Sequence, residues 1–129
     1  MHPVAPRAFR FAAALGFLAV ALGAFGAHGM ERVFAARPEA RDWWQKAVFY
    51  HALHAVVLLL LACLPKVPAA AQLFAAGIAL FSGSLYLAAA GGPHWLVHVT
   101  PFGGLCLLTG WLWLAVRPPN VPATGSKQP

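Results

Sequence analysis

Four long apolar runs take up most of this sequence and limit what it can fold into more than any other feature. The runs cover about residues 8–27, 44–64, 69–90 and 98–116. At about 1.5 Å per residue, a helix of about 20 residues crosses the roughly 30 Å hydrocarbon core of a bilayer. Charged residues make up 9% of the chain, whereas a typical soluble domain has about 25%. The sequence therefore predicts an all-α integral membrane protein with four transmembrane helices in a compact bundle.

The polar segments between and after these runs predict where the helices begin and where the membrane domain ends. The segment between the first two runs holds all three acidic residues and is long enough for a short interfacial helix at about residues 31–36. Pro38 suits the first turn of the following helix, and Trp43 and Trp44 lie where an interfacial aromatic belt is expected. We predict one membrane domain over residues 1–117 and a disordered polar tail over 118–129.

The first run is open to two interpretations. It follows Arg7 and Arg10, and a basic start before an apolar stretch is also typical of a cleaved signal peptide. Small residues, however, recur along it every three or four positions: Gly16, Ala19, Gly23 and Gly26. This spacing puts them on one helical face, where small residues let membrane helices approach closely. The pattern favours a retained helix, because a discarded segment needs no packing face.

Small residues in the third and fourth runs also predict close helix packing. These are Ser82, Gly83, Ser84, Gly103, Gly104 and Gly110. Serine hydroxyls in membrane helices usually bond to backbone carbonyls or neighbouring helices. A nucleophilic serine would need a base and an oxyanion donor, and the sequence indicates neither. No catalytic residue is therefore predicted.

The candidate polar cluster consists of Tyr50, His51 and His54 in the second run and His28 at the end of the first. His51 and His54 are three residues apart and therefore lie on adjacent turns of one helix face. Imidazoles in a bundle can form structural hydrogen bonds, relay protons or bind a metal or haem iron. The three histidines are the only ligands we would consider, but without an acid or thiolate beside them they are a weak metal signal. No cofactor is predicted.

Charge placement bears on partners and on orientation. The net charge is +6, but the basic residues are scattered at the edges of apolar runs, so no nucleic-acid partner is predicted. Four spans put both termini on one side of the membrane, with these basic residues: Arg7, Arg10, Lys66, Arg117 and Lys127. The opposite side receives four, all in one loop: Arg32, Arg37, Arg41 and Lys46. This bias predicts cytoplasmic termini.

Four motifs, in this order, resemble a known family. They are GAFGAHG (23–29), WWQKAVFYHALHA (43–55), FSGSLYL (81–87) and TPFGGLCLLTGW (100–111). They are similar to motifs of the small bacterial membrane proteins of domain-of-unknown-function family 423, the YgdD-like group, and of eukaryotic transmembrane protein 256. The resemblance implies a four-helix inner-membrane protein without an established activity. It also implies that the four residues of the polar cluster are motif members, with no role assigned to them.

The functional prediction is a non-enzymatic membrane protein that acts through helix packing, lipid contacts or protein contacts in membrane homeostasis. Its expected partners are the lipid bilayer and either a second copy or another membrane protein. One alternative is a small transporter, channel or proton-handling protein that uses the polar cluster. The other is a metal- or haem-binding membrane protein.

Overall fold

The computed structural model describes residues 4–123, and the chain is helical through most of this range, with no strand in it. Five helices follow one another within it: α1 (Pro6–His28), α2 (Glu31–Ala36), α3 (Pro38–Ala62), α4 (Ala70–Ala89) and α5 (Thr100–Val116). A 3₁₀ turn, His94–His98, leads into α5. Four helical segments are long and apolar enough to cross a membrane: α1, α3, α4 and His94–Val116. The predicted all-α fold with four membrane-spanning helices is confirmed.

The charged segment between the first two spans is mostly helical. α2 has the bounds that the sequence predicts for a short helix there. α3 begins at Pro38, well before the predicted run 44–64. Proline suits this position because the N–H groups of the first helical turn have no partner within the helix, so a missing N–H costs nothing there. The fixed φ of proline is also already helical. The result is a long helix whose first turns are polar and whose remainder is apolar.

α3 and α4 form the centre of the bundle. α1 packs along α3, and α5 packs along α4. The two outer helices expose large apolar side chains, among them Phe17, Val20, Leu108 and Leu112. Such surfaces suit contact with lipid chains, since a membrane-spanning helix faces hydrocarbon rather than water.

Two apolar clusters hold the helices together. One joins α3, α4 and α5 through residues that include Leu58, Phe74 and Leu107. The other lies at the α2 end of the bundle and includes Phe34 and Trp44. Because lipid chains are as apolar as these side chains, the clusters stabilise the bundle through van der Waals packing and not through removal of the side chains from water. The second cluster fixes α2 against the start of α3 and the end of α4.

α4 and α5 approach each other closely because glycine leaves room. A Cβ atom at Gly103 would overlap the backbone nitrogen of Phe81. One at Gly110 would lie 2.8 Å from Cε1 of Phe74. The neighbouring Gly104 is different, since its Cβ would meet Phe81 only at 3.8 Å, an ordinary contact.

The small residues of α1 face α3 over only part of their length. Ala19 is buried, and a Cβ atom at Gly26 would overlap the indole ring of Trp44. Gly16, by contrast, has no atom within 4 Å of its Cβ position. α1 has one extensive helical neighbour, α3, so its small-residue stripe leaves this contact as it winds around the helix.

The Ser82–Gly83–Ser84 segment joins α4 to two other helices. Ser82 closes a π-helical turn, Ile78–Ser82, and its Oγ donates to the Ala47 carbonyl of α3 at 2.8 Å. The hydroxyls of Ser84 and Thr100 share a hydrogen bond of 2.7 Å, which links α4 to the start of α5. Gly83 has open space at its Cβ position and makes no close contact. Because Ser82 and Ser84 are two residues apart, they lie on nearly opposite faces of α4, and their hydroxyls reach different neighbours.

The predicted tail is described only in part. Residues 118–123 have no regular secondary structure. The rest of the predicted disordered segment, 124–129, lies outside the described residues. The single domain over residues 1–117 stays a prediction.

Candidate functional site

Both ring nitrogens of His54, which lies between α3 and α5, have hydrogen-bond partners. Its side chain is 2% exposed. The indole N–H of Trp111 donates to His54 Nε2 at 3.1 Å, and His54 Nδ1 lies 2.7 Å from the Tyr50 carbonyl oxygen. Since Nε2 accepts from Trp111, the proton of the neutral ring is on Nδ1, which donates to Tyr50. This arrangement uses both ring nitrogens and ties α5 to α3.

Only one ring nitrogen of His51 has a hydrogen-bond partner by distance and angle. Its side chain is also 2% exposed, and its Nδ1 lies 3.0 Å from the hydroxyl of Tyr86 in α4. Its Nε2 is the one buried side-chain nitrogen or oxygen in the described residues without a hydrogen-bond partner. An unpaired buried polar atom costs about 1–3 kcal/mol. His51 thus bonds to α4 through Nδ1, and its ring also lies beside the Leu15 backbone of α1.

The remaining members of the predicted cluster lie apart from a common centre. Tyr50 is partly exposed, and its ring stacks beside that of His54 at 6.2 Å between centroids. His28 is exposed at the end of α1. In residues 4–123, no group of three His, Cys, Asp or Glu side chains could hold a metal ion. The structure does not bring His28, His51 and His54 together, because the two buried histidines face α4 and α5 rather than the end of α1.

Sequence reasoning missed the partners of the two histidines. Tyr86 lies in the FSGSLYL motif and Trp111 at the end of the TPFGGLCLLTGW motif. Buried tyrosine and tryptophan side chains usually find a hydrogen-bond partner for their O–H or N–H. Polar-tipped aromatic residues inside apolar runs were therefore the available signal.

A groove between α1 and α3 has a volume of about 1080 Å³. We call it the α1–α3 groove. On the α1 side it is lined by small residues: Gly23, Gly26 and Ala27. On the α3 side it is lined by apolar side chains: Val48, Phe49, Ala52, Leu53 and Val56. At these positions α1 lies close against α3, since a Cβ atom at Gly23 would meet Val48 at 3.4 Å and one at Gly26 would overlap Trp44.

Trp44 lines the groove near its mouth and is held in place by its neighbours. Its indole N–H donates to the Leu22 carbonyl of α1 at 2.9 Å, and only 5% of the residue is exposed. Its ring packs against Tyr86 with 4.9 Å between centroids. Gly26 makes this possible, because any side chain there would occupy the position of the indole.

The mouth of the groove is polar and carries Glu31, Arg41 and Gln45. Nearby charges are paired within the chain: Arg37 with Glu39 at 3.5 Å and Lys46 with Asp42 at 2.7 Å. Glu31 and Arg41 take part in no ion pair within residues 4–123. The Arg41 guanidinium lies over the ring of Phe34, 5.6 Å from its centroid. The groove thus has an apolar stem and a mouth with one unpaired cation and one unpaired anion.

Four apolar spanning helices, with exposed apolar side chains along the outer two, define an integral membrane protein. Comparison with known proteins gives the particular family. The chain belongs to the family described as protein of unknown function (DUF423), whose model matches residues 22–104. The resemblance found from the four motifs is thereby confirmed.

Several relatives are membrane proteins of similar length. The UPF0382 membrane protein YwdK of Bacillus subtilis is 39% identical over 106 residues, which cover 77% of this chain and 85% of YwdK. The UPF0382 inner membrane protein YgdD of Escherichia coli K12 is 38% identical over 112 residues, covering 82% of this chain and 84% of YgdD. A UPF0382 membrane protein of Haemophilus influenzae is 36% identical over 107 residues, covering 78% and 83%. No solved structure matches the chain.

Proposed function

We propose that this protein is a non-enzymatic membrane protein that acts in membrane homeostasis by holding a lipid in the α1–α3 groove. The observation that carries the proposal is the groove's amphipathic lining. Its mouth is charged, and its stem is apolar and bordered by the exposed side chains Phe49, Leu53 and Val56. Binding sites for small molecules are commonly apolar with a few polar groups that fix orientation.

The length of the groove supports a lipid as occupant. From Arg41 to Val56 the groove follows one face of α3, which corresponds to about 22 Å at 1.5 Å per residue. A bilayer with its headgroup regions is about 40–45 Å thick, so one leaflet measures roughly 20–22 Å. A phospholipid with its headgroup at Arg41 would therefore reach the end of the groove with its acyl chain.

Native mass spectrometry of the purified full chain with added phospholipid tests the proposal. Ala52→Trp fills the stem of the groove, and Leu108→Trp adds the same side chain on the exposed face of α5 as a matched control. We expect the bound lipid to be lost in the first variant and kept in the second. Equal lipid retention in both would refute the groove as the binding site.

A second pair of variants keeps the test valid if Ala52→Trp disturbs the packing of α1 on α3. Phe49→Ala and Leu53→Ala remove the exposed wall of the groove, where 61% and 43% of the side chains are accessible. Because these residues are exposed, their loss should leave thermal unfolding nearly unchanged while lipid binding weakens. Unweakened binding in both would count against the proposal.

Proton handling is a second candidate, favoured by the unpartnered Nε2 of His51 beside the Tyr86 hydroxyl. A buried imidazole nitrogen can accept or release a proton inside a bundle. Proton flux into vesicles that contain the reconstituted protein is the direct assay. This candidate requires flux that disappears in His51→Ala and persists in the exposed control His28→Ala. Absence of flux in the unmodified protein, or flux that survives His51→Ala, would eliminate it.

We also propose an inner-membrane location with both termini in the cytoplasm. The name of the E. coli relative supports the location, and the basic residues on the terminal side support the orientation. Labelling of Arg32→Cys, in a background without other cysteines, by an impermeant thiol reagent on whole cells tests it. Labelling from outside is expected, whereas labelling only after lysis would reverse the orientation.

A further inference from the structure

We propose that the α1–α3 groove selects a phospholipid with a zwitterionic, amine-bearing headgroup of the phosphoethanolamine class. In this complex Arg41 binds the phosphate and Glu31 binds the ammonium group. The inference rests on the proposed function, because it names the lipid that the groove would hold. It starts from the two opposite charges at the mouth that have no ion-pair partner in the described part of the chain.

Arg41 is suited to a phosphate ester. A guanidinium group presents planar donors that match phosphate oxygens and stays charged at any physiological pH. The ring of Phe34 lies under the Arg41 guanidinium and limits the positions that the side chain takes. Gln45 follows four residues later, also lines the mouth and lies on the same helix face, so its amide can donate to an ester oxygen below the phosphate.

Glu31 makes the mouth selective for a headgroup that carries a cation. A carboxylate forms strong charge-assisted hydrogen bonds with the N–H donors of a primary ammonium group. A purely anionic lipid would place an additional negative or neutral group there and lose this contact, so Glu31 acts against it.

Among residues 4–123, the mouth offers no open set of aromatic ring faces for a quaternary ammonium group. Choline is usually recognised by the faces of aromatic rings. Of the aromatic rings at the mouth, Phe34 lies under the Arg41 guanidinium and Trp44 is only 5% exposed. The carboxylate is thus the group left to bind the headgroup cation, which favours a primary amine with its three donors over a trimethylated one.

The experiment measures the binding of three phospholipids with identical acyl chains to the full chain in detergent. Their headgroups are phosphoethanolamine, phosphocholine and phosphoglycerol. We expect the phosphoethanolamine lipid to bind about fivefold to tenfold more tightly than the phosphoglycerol lipid, with phosphocholine between them. Arg41→Gln should weaken all three, and Glu31→Gln should remove the preference for the amine.

Matched controls separate headgroup recognition from a general effect of charge. Arg32→Gln removes a cation from α2 and Asp42→Asn an anion from α3, and neither residue lines the groove. Both control variants should keep the preference. Equal or tighter binding of the phosphoglycerol lipid, or a preference that survives Glu31→Gln, would overturn the inference while leaving the groove a lipid site. If Ala52→Trp abolished lipid binding while Arg41→Gln and Glu31→Gln left it unchanged, the proposed function would be supported and the headgroup inference overturned. Lipid binding unaffected by Ala52→Trp would overturn both proposals.

Discussion

Replacement of Gly103 by alanine gives the sharpest test of how this bundle is packed. A Cβ atom there would overlap the Phe81 nitrogen and would lie 2.7 Å from the Leu80 carbonyl carbon and the Phe81 Cα. Ordinary van der Waals contact begins at 3.4 Å. The obstructing atoms belong to the backbone of α4, so no side-chain rotation can relieve the overlap. α4 and α5 must instead move apart.

The expected cost follows from this separation. Overpacking of a well-packed interface usually costs about 1–3 kcal/mol. Moving α5 also stretches the hydrogen bond between Ser84 and Thr100, which lies one turn away. Interhelical hydrogen bonds in membrane proteins contribute about 0.6 kcal/mol on average. We therefore expect the free energy of unfolding of Gly103→Ala to lie about 2–3 kcal/mol below that of Gly104→Ala.

Gly104→Ala is the control for this experiment, because it makes the same chemical change one residue away on the same helix. Its Cβ would meet Phe81 at 3.8 Å, which is an ordinary contact. Both variants gain the intrinsic helix preference of alanine over glycine, about 1 kcal/mol in water, so this term cancels in the comparison. Reversible unfolding of the purified protein in mixed micelles measures both. If the two variants were equally stable, the close contact between α4 and α5 would be wrong.

Two further predictions concern hydrogen bonds between the central helices. Tyr86→Phe removes the hydrogen-bond partner of His51 Nδ1 and should cost about 1–3 kcal/mol. In the same unfolding assay His51→Phe should lose most of its own cost when Tyr86 is already Phe, and simple additivity would contradict the pairing. Ser82→Ala should cost less, about 0.5–1.5 kcal/mol, because the Ala47 carbonyl retains its helical hydrogen bond. A loss above about 3 kcal/mol would show that Ser82 does more than bond to Ala47.

The partners of the two buried histidines could not be predicted from the sequence. The spacing of His51 and His54 predicts that both lie on one broad face of a helix. It does not predict that one ring meets Tyr86 of α4 and the other meets Trp111 of α5. An angular offset of about 60° between positions three apart decides which helix each ring faces, and only the packed arrangement determines which side chain lies there.

The small residues of α1 show the same limit of prediction from sequence. Gly23 and Gly26 were predicted to bring α1 close to another helix, and at Gly26 the ring of Trp44 does fill the space. Gly16, farther along the same stripe, instead has no atom within 4 Å of its Cβ position. A small residue allows either a close approach or an empty space. Which of the two occurs depends on the neighbouring side chain and on the tilt of the helices.

The sequence alone determines that this chain spans a membrane four times, because each span depends only on the length and hydropathy of its own segment. It also places the short helix α2 and the start of α3 at Pro38, where local signals act within a single turn. Only the tertiary structure decides that α3 and α4 are central, that the histidines stand apart, and that Glu31 and Arg41 share the mouth of one groove. These features depend on contacts between residues distant in sequence, and lipid can cover an apolar helix face as well as another helix can. Hydrophobicity therefore identifies the spans, while small residues and hydrogen bonds between helices set their arrangement.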